Sequence, residues 1–295
     1  MKDNRRLSSQ VLCNLVRAAL AEDIGSGDAT TIAVIPEDLE TTGYFRTRQA
    51  CVVAGMPVVE AVFAELDSNV IVESQLSDNT RCQPGDVLAV ISGPARALVT
   101  GERTALNYLQ RLTGIATLTR AYVDALGETK TRLLDTRKTT PGLRALEKYA
   151  VTAGGGENHR FGLFDMIMIK DNHCNIADLN GPGGITKAIE RCRTEFPQLK
   201  IEVEADTFDQ VKAALKAHAD YVLLDNMGDD DLREAVALRD KIYAQCLLEA
   251  SGGITIDRMP AIGASGVDYV SVGALTHSAP AIDIGLDFDE DVSYP

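Results

Sequence analysis

Six short apolar runs between Arg132 and Gly273 constrain the fold of this chain more than any other feature: RLLDT, MIMIK, IEVEA, YVLLD, CLLEAS and DYVSVG. Segments of helical length separate them, and the last four recur every 20 to 25 residues. Runs apolar on both faces, such as Met166 to Ile169 and Tyr221 to Leu224, are what parallel strands buried between helices require. The expected architecture is α/β, a (β/α) barrel left incomplete because only six strands can be named. Each run also ends in polarity or glycine: Asp135 with Arg137 and Lys138, Lys170, Glu204, Asp225, Glu249 with Ser251, and Gly273. In such a barrel these ends share one rim, where loops build the active site. One polar strand end is ordinary loop chemistry. Six in succession, with cations early and carboxylates later, point to a site.

The first hundred residues follow another pattern. Leu12, Leu15, Val16, Ala19 and Leu20 have helical spacing. Strand-like segments follow at Thr42 to Thr47, Cys51 to Ala54, Asn69 to Val72 and Val87 to Ile91, with a helix over Val58 to Leu66. These predict a mixed domain on a small, mainly antiparallel sheet. A long helical region from about Arg96 to Leu126 leads to the barrel, with Gly114 as the candidate break. Leu98, Val99, Glu102, Ala105, Leu106, Leu109 and Leu112 trace one stripe on it, and Arg103 falls beside that stripe, placed to reach a ligand or a neighbouring subunit.

The chain carries 29 basic and 43 acidic residues in 295, a net charge of −14, yet Thr136 to Lys170 reverses the sign locally. Arg137, Lys138, Arg144, Lys148, Arg160 and Lys170 stand there against Glu147, Glu157 and Asp165. A helix face accounts for Arg144 and Lys148. The other four sit at segment ends, beside glycines and His159, as a site for a small multiply charged anion needs. The acidic balance excludes nucleic acid as a bulk partner. No signal peptide or membrane-length apolar run is expected. The six cysteines are scattered without zinc spacing, which suggests reduced thiols in the cytoplasm.

Two glycine-bearing loops, Ser251-Gly252-Gly253 and Val272-Gly273-Ala274, follow the last two strands, where barrels often hold phosphate. Glu204 and Asp225 end adjacent strands. They could pair with Lys170 or Arg137, bind a sugar diol or magnesium, or stabilise a cationic transition state. Oxygen ligands suit a hard ion. His173, His218 and His277 read as structural, with His173 open to another role.

The segments TRKTTPGLRALEKYAV, GGGENHRFGLFDMIMIKDNH, IEVEAD, YVLLDN, EASGGI and DYVSVGALTHSAP, with EDIGSGDATT and GERTALNYLQRLTGIAT before them, closely resemble the quinolinate phosphoribosyltransferases over nearly the whole chain. A short stretch, DLNGPGG from Asp178 to Gly184, departs from the pattern. The resemblance implies an N-terminal α/β sandwich over residues 1–113, joined by the tail 276–295, and an incomplete barrel over 114–275. It implies a homodimer or higher assembly whose sites lie at the barrel mouth and take Arg103 from the partner subunit. By the same resemblance Thr136, Arg137, Lys138, His159, Arg160 and Lys170 join Arg103 around quinolinate. Glu204 and Asp225 face the ribose of phosphoribosyl pyrophosphate and Mg2+. Ser251, Gly252, Gly253, Val272, Gly273 and Ala274 hold phosphate. Lys138, Lys170, Glu204 and Asp225 would carry the chemistry, without an organic cofactor. Two other readings compete: a barrel lyase with Lys170 as Schiff-base nucleophile, and a non-catalytic anion-binding paralogue, such as the one associated with molybdate transport.

Overall fold

The structure, a computed structural model, describes residues 7–181 and 183–288. In chain order the first elements are α1 (Ser9–Ile24), α2 (Ala29–Val34), β1 (Glu40–Thr47), β2 (Cys51–Val52), α3 (Met56–Leu66), β3 (Ile71–Ser74), β4 (Arg81–Cys82), β5 (Val87–Pro94) and α4 (Ala95–Leu126). Then come β6 (Arg132–Leu134), α5 (Arg144–Ala153), β7 (Ile167–Ile169), α6 (Asp171–Ile176), α7 (Gly184–Glu195), β8 (Ile201–Ala205), α8 (Phe208–Lys216), β9 (Tyr221–Asp225), α9 (Asp229–Ile242), β10 (Leu247–Ser251), α10 (Met259–Ser265), β11 (Tyr269–Ser271), α11 (Ala274–His277) and β12 (Ile284–Phe288). The described residues of Met1–Arg120, Thr139–Gly155 and Ala274–Pro295 form one compact unit, and Ala121–Lys138 with Gly156–Gly273 form the other.

The first unit contains a four-stranded sheet in the order β12-β1-β5-β3, antiparallel throughout, and a two-stranded ribbon of β2 and β4. Alternation along β1 buries Gly43, Phe45 and Thr47 on one face. Phe45 lies at a tilted 58° against Phe63 of α3, with ring centroids 6.2 Å apart. Helix α3 buries Met56, Val58, Val59, Val62 and Phe63. Its N-terminal amides are satisfied from a distant loop, because Asp78 accepts from Gly55 N–H at 2.8 Å and Met56 N–H at 3.2 Å. Tyr149 of α5 donates to the same carboxylate at 2.6 Å. Glu147, fully buried, accepts from Arg111 Nη2 at 2.8 Å and from both the hydroxyl and the amide of Thr140. Arg111 also donates to the carbonyls of Thr276 and Ala279, which ties α4, α5 and the approach to β12 together. The chain after β11 thus joins this unit through Phe288, and residues 289–295 lie outside the described residues.

Helix α4 runs unbroken through Gly114, contrary to the expected break, and therefore also through the boundary expected at residue 113. Glycine is there for space: a methyl group at Gly114 would overlap the carbonyl oxygen of Pro280. Short elements the sequence reading lacked include α2, β4, α6, α11 and β12.

The second unit is a six-stranded, wholly parallel sheet in the order β6-β11-β10-β9-β8-β7. All six expected strands are present. The barrel stays open between β6 and β7, which do not pair. Beyond β6 at that open edge, Glu157 forms a single parallel bridge with Leu134: Glu157 N–H donates to Leu133 and Asp135 N–H donates back to Glu157. That bridge delivers the next residues, His159 and Arg160, to the strand ends.

Gly114→Ala separates two opposing effects. Helix propensity alone would stabilise α4 by roughly 1 kcal/mol, whereas forcing a methyl against the Pro280 backbone costs about 1–3 kcal/mol. Chemical denaturation should show net destabilisation, and a stabilised variant would mean that the tail is not seated on α4.

Candidate active site

Parallel strands place their C-terminal ends together, and the expected rim residues of the second unit gather there. Glu204 near the end of β8 and Asp225 at the end of β9 come from hydrogen-bonded neighbours. Lys170, directly after β7, forms a close ion pair with Glu204. The Asp225 carboxyl is raised above the usual range by burial first and then by the charges of Glu204 and Asp206, while Lys170 and Lys138 pull it down. Five charged side chains thus act on one another: Lys138, Lys170, Glu204, Asp206 and Asp225. Lys170 is held against a carboxylate rather than in the apolar pocket that activates a Schiff-base lysine.

A second group is cationic. Arg160 is half-buried, and its guanidinium is pushed down by burial and then by the charge of Arg137, against upward effects of Glu202 and Asp165. It donates to the Met166 carbonyl at 3.2 Å. The loop after it is shaped by Asp165, which accepts from Phe161 N–H at 2.6 Å and Gly162 N–H at 2.8 Å. The turn carrying Arg137 is set by Thr136, whose hydroxyl accepts from Lys138 N–H at 3.0 Å. Two arginines brought close enough to repel are a poor arrangement for stability and a good one for a dianion.

His159 is turned into the strand bundle. Its amide donates to the fully buried Asp135 at 2.8 Å. Its Nε2 lies 3.2 Å from one oxygen of Glu202 and 3.2 Å from one of Glu249, both buried. Burial disfavours a charged imidazole, while the two carboxylates push its pKa up to about 10; that pull toward the imidazolium conflicts with the geometry at Nδ1, which has no room for a second proton. Burial, then Glu249, raises the Glu202 carboxyl. Geometry decides where the protons reside: His159 Nδ1 accepts the Arg160 N–H at 2.7 Å, which leaves Nε2 as the protonated nitrogen. These three groups could also be read as a cation site, but a ring nitrogen carrying a proton has no lone pair for a metal. Asp135 and Glu249, read from the sequence as open rim groups, are internal anchors here.

The glycine loops divide. Gly252 (φ +88°) and Gly253 (φ +58°) adopt left-handed backbone, and a Cβ on Gly252 would strike the Asn226 side chain. Asn226 N–H donates to the Ser251 carbonyl at 2.9 Å, and the hydroxyls of Ser251 and Ser271 are 3.0 Å apart. The second loop offers less than expected, since Val272 is buried and its N–H is committed to the Leu134 carbonyl at 3.0 Å. Gly273 and Ala274 follow it, half-buried. His173 Nδ1 accepts from Lys170 N–H at 2.9 Å and so braces the start of α6.

Arg103 lies in the first unit, on α4, and is exposed. Sequence reading overlooked Glu202, Asp206 and Asn226. The signal for Glu202 was present: in IEVEA it stands two residues before Glu204, hence on the same strand face.

Two family models cover most of the chain: "Quinolinate phosphoribosyl transferase, N-terminal domain" matches residues 28–113 and "Quinolinate phosphoribosyl transferase, C-terminal domain" matches residues 115–287. The probable nicotinate-nucleotide pyrophosphorylase [carboxylating] of Bacillus subtilis (strain 168) is 42% identical over 277 residues, covering 94% of this chain and 93% of its own. The Mycobacterium leprae nicotinate-nucleotide pyrophosphorylase [carboxylating] is 42% identical over 275 residues, covering 92% and 95%. The solved nicotinate-nucleotide pyrophosphorylase of Francisella tularensis superposes with a TM-score of 0.89 at 38% identity, covering 97% of this chain and 98% of its own.

The raised Asp225 carboxyl yields a signed stability prediction. Its folded pKa lies above the ordinary value of an aspartate, so the folded state holds the proton more tightly than the unfolded one. Stability is therefore lost as pH rises from there through the folded pKa, and the deficit persists above it. Asp225→Asn removes the deficit, so its melting temperature should equal or exceed wild type near neutral pH, with the gap closing in acid. A lower melting temperature for the variant at neutral pH would contradict this.

Proposed function

We propose a division of labour for this site on the ground that the chain belongs to the quinolinate phosphoribosyl transferase family. Its reaction transfers the phosphoribosyl group of phosphoribosyl pyrophosphate to quinolinate with loss of carbon dioxide, giving nicotinate mononucleotide and pyrophosphate for NAD biosynthesis. Membership sets aside the barrel-lyase reading. The observation that carries the site assignment is the repelling pair Arg137 and Arg160, beside the separate cluster of Lys138, Lys170, Glu204 and Asp225.

Quinolinate carries two adjacent carboxylates, and planar guanidinium groups suit them. Arg137 and Arg160 take the pyridine dicarboxylate, with the partner subunit's Arg103 completing the pocket. Lys138 and Lys170 supply compact positive charge where the two substrates meet. When pyrophosphate leaves, C1 of the ribose gains oxocarbenium character, which Glu204 and Asp225 stabilise electrostatically. Attack by the ring nitrogen makes a pyridinium, and as the 2-carboxylate departs as carbon dioxide the bonding pair stays on C2, stabilised by the adjacent positive nitrogen. A proton then restores the ring C–H. The Gly252–Gly253 loop offers left-handed backbone for close approach of phosphate oxygens.

The donor set also suits a hard cation: Glu204, Asp206 and Asp225 concentrate carboxylate charge that Lys138 and Lys170 only partly offset. Glu204 and Asp225 would hold Mg2+, which when bound neutralises charge on the pyrophosphate. No organic cofactor enters this scheme. We place the enzyme in the cytoplasm, a reading supported by its six free cysteines, and among the described residues no helix is long and apolar enough to cross a membrane.

Purified protein with quinolinate, phosphoribosyl pyrophosphate and Mg2+ should release carbon dioxide and nicotinate mononucleotide, should not use nicotinate, and should stop on EDTA treatment. Equal turnover of nicotinate overturns the dicarboxylate assignment, and full activity without divalent metal removes the cation from the scheme.

The homodimer with shared sites is tested by complementation. Arg103→Ala and Lys170→Ala subunits, each inactive alone, should regain activity on mixing if Arg103 acts across the interface, because one site of each mixed dimer is then intact. No recovery despite demonstrated mixed dimers refutes sharing.

A further inference from the structure

Glu202 and Glu249 have no part in the transfer chemistry, yet both are buried, at 0% and 1% exposure. They project from β8 and β10, the strands on either side of β9, and so meet as alternate strands of a barrel do. Two carboxylates in such a place are costly unless something nearby uses them. What they face is His159 Nε2, 3.2 Å from an oxygen of each. The opposite ring nitrogen accepts the Arg160 backbone N–H at 2.7 Å. A proton on Nδ1 would point at that N–H, so an imidazolium does not fit, and a metal at Nε2 would require the opposite tautomer.

We infer that Glu202 and Glu249 are positioning residues: together they hold His159 as its Nε2–H tautomer, and the oriented ring holds the Arg160 backbone at the anion site. His159 is then a buried brace and not a direct contact of the dicarboxylate. The charged neighbours of this group are Asp135, which accepts the His159 amide, and Arg160 beside Glu202. Tyr221 and Tyr269, with rings 6.3 Å apart, sense both glutamates or Glu249 from the same sheet. The activity arm of the test rests on Arg160 being an anion contact, whereas the spectroscopic arm does not.

The spectroscopic arm uses histidine labelled with 15N and long-range 1H–15N correlation, with His159 assigned by the signals lost in His159→Gln. Wild type should show a protonated, pyrrole-type Nε2 and an unprotonated, pyridine-type Nδ1. Two protonated nitrogens, the reverse tautomer, or displacement of these signals by added Zn2+ would overturn the inference. In the activity arm, Glu202→Met and Glu249→Met should raise KM for quinolinate about tenfold while leaving KM for phosphoribosyl pyrophosphate within about twofold, and the Gln variants should recover to within about threefold of wild type. Equal loss toward both substrates, or Gln variants no better than Met, would show a merely structural role. If Met variants fail to fold, the wild-type tautomer still decides the matter. If the tautomer stands but quinolinate binding is indifferent to Arg160→Ala, the assignment of Arg160 fails and the brace survives.

Discussion

Everything in the second unit depends on its strands running in one direction. A parallel sheet cannot be built from hairpins, so each strand must be followed by a return segment, and all C-terminal ends fall on one side. Residues as far apart in sequence as Arg137 and Gly273 then share one rim without any special device. Within each strand, alternation decides which residues join it. In β8, Glu202 and Glu204 share one face, while Ile201, Val203 and Ala205 are buried on the other. A slip of one residue would exchange these sets and bury the wrong side chains. If Glu204 has the role proposed for it, register is a constraint on catalysis as well as on packing.

The site this produces brings like charges together even though Lys170 and Glu204 pair within it. Arg160 is pushed down by burial and Arg137, and Asp225 is pushed up by burial, Glu204 and Asp206. Both departures oppose the charged forms that function needs, so the folded protein tolerates repulsion that bound anions and a cation would relieve. The structural ion pairs of the first unit behave in the opposite way. Glu147 has its oxygens matched by Arg111 and Thr140. Charge neutralised within the fold marks the Glu147 scaffold, whereas like charges brought together mark the rim.

Much of this was legible in the sequence, and for identifiable reasons. Strand runs such as YVLLD and CLLEAS are short, apolar on both faces and punctuated, so six of six could be named. The rim positions followed, because strand ends are defined by the same runs. What failed depended on contacts distant in sequence. Gly114 looked like a helix break because the Pro280 backbone that needs the space lies far away in the chain. The two-residue β4 and the terminal β12 are stabilised by partners that no local pattern reveals. Val272 looked like a phosphate-binding amide, but its N–H belongs to Leu134 across the sheet. Asp135 looked like a rim acid because its alternation says which face it takes and nothing about how deep it sits.

Depth is the variable that alternation omits, and β8 shows why it matters. Glu202 and Glu204 are the same residue type on the same face of one strand, two positions apart, yet their surroundings give them different work. Glu204 reaches the rim, where Lys170 meets it and solvent keeps part of it accessible, so it can exchange one charged partner for another, as the proposed function requires. Glu202 lies one layer inward, with one oxygen facing His159 and no water-accessible surface. There, an exchange of partners would expose an uncompensated charge to a low-dielectric interior, which is expensive enough to fix the arrangement. A group that cannot change partners cannot take part in turnover, but it can hold a neighbour in one orientation throughout. The strand thus supports a mobile charge at its end by placing an immobile one beneath it.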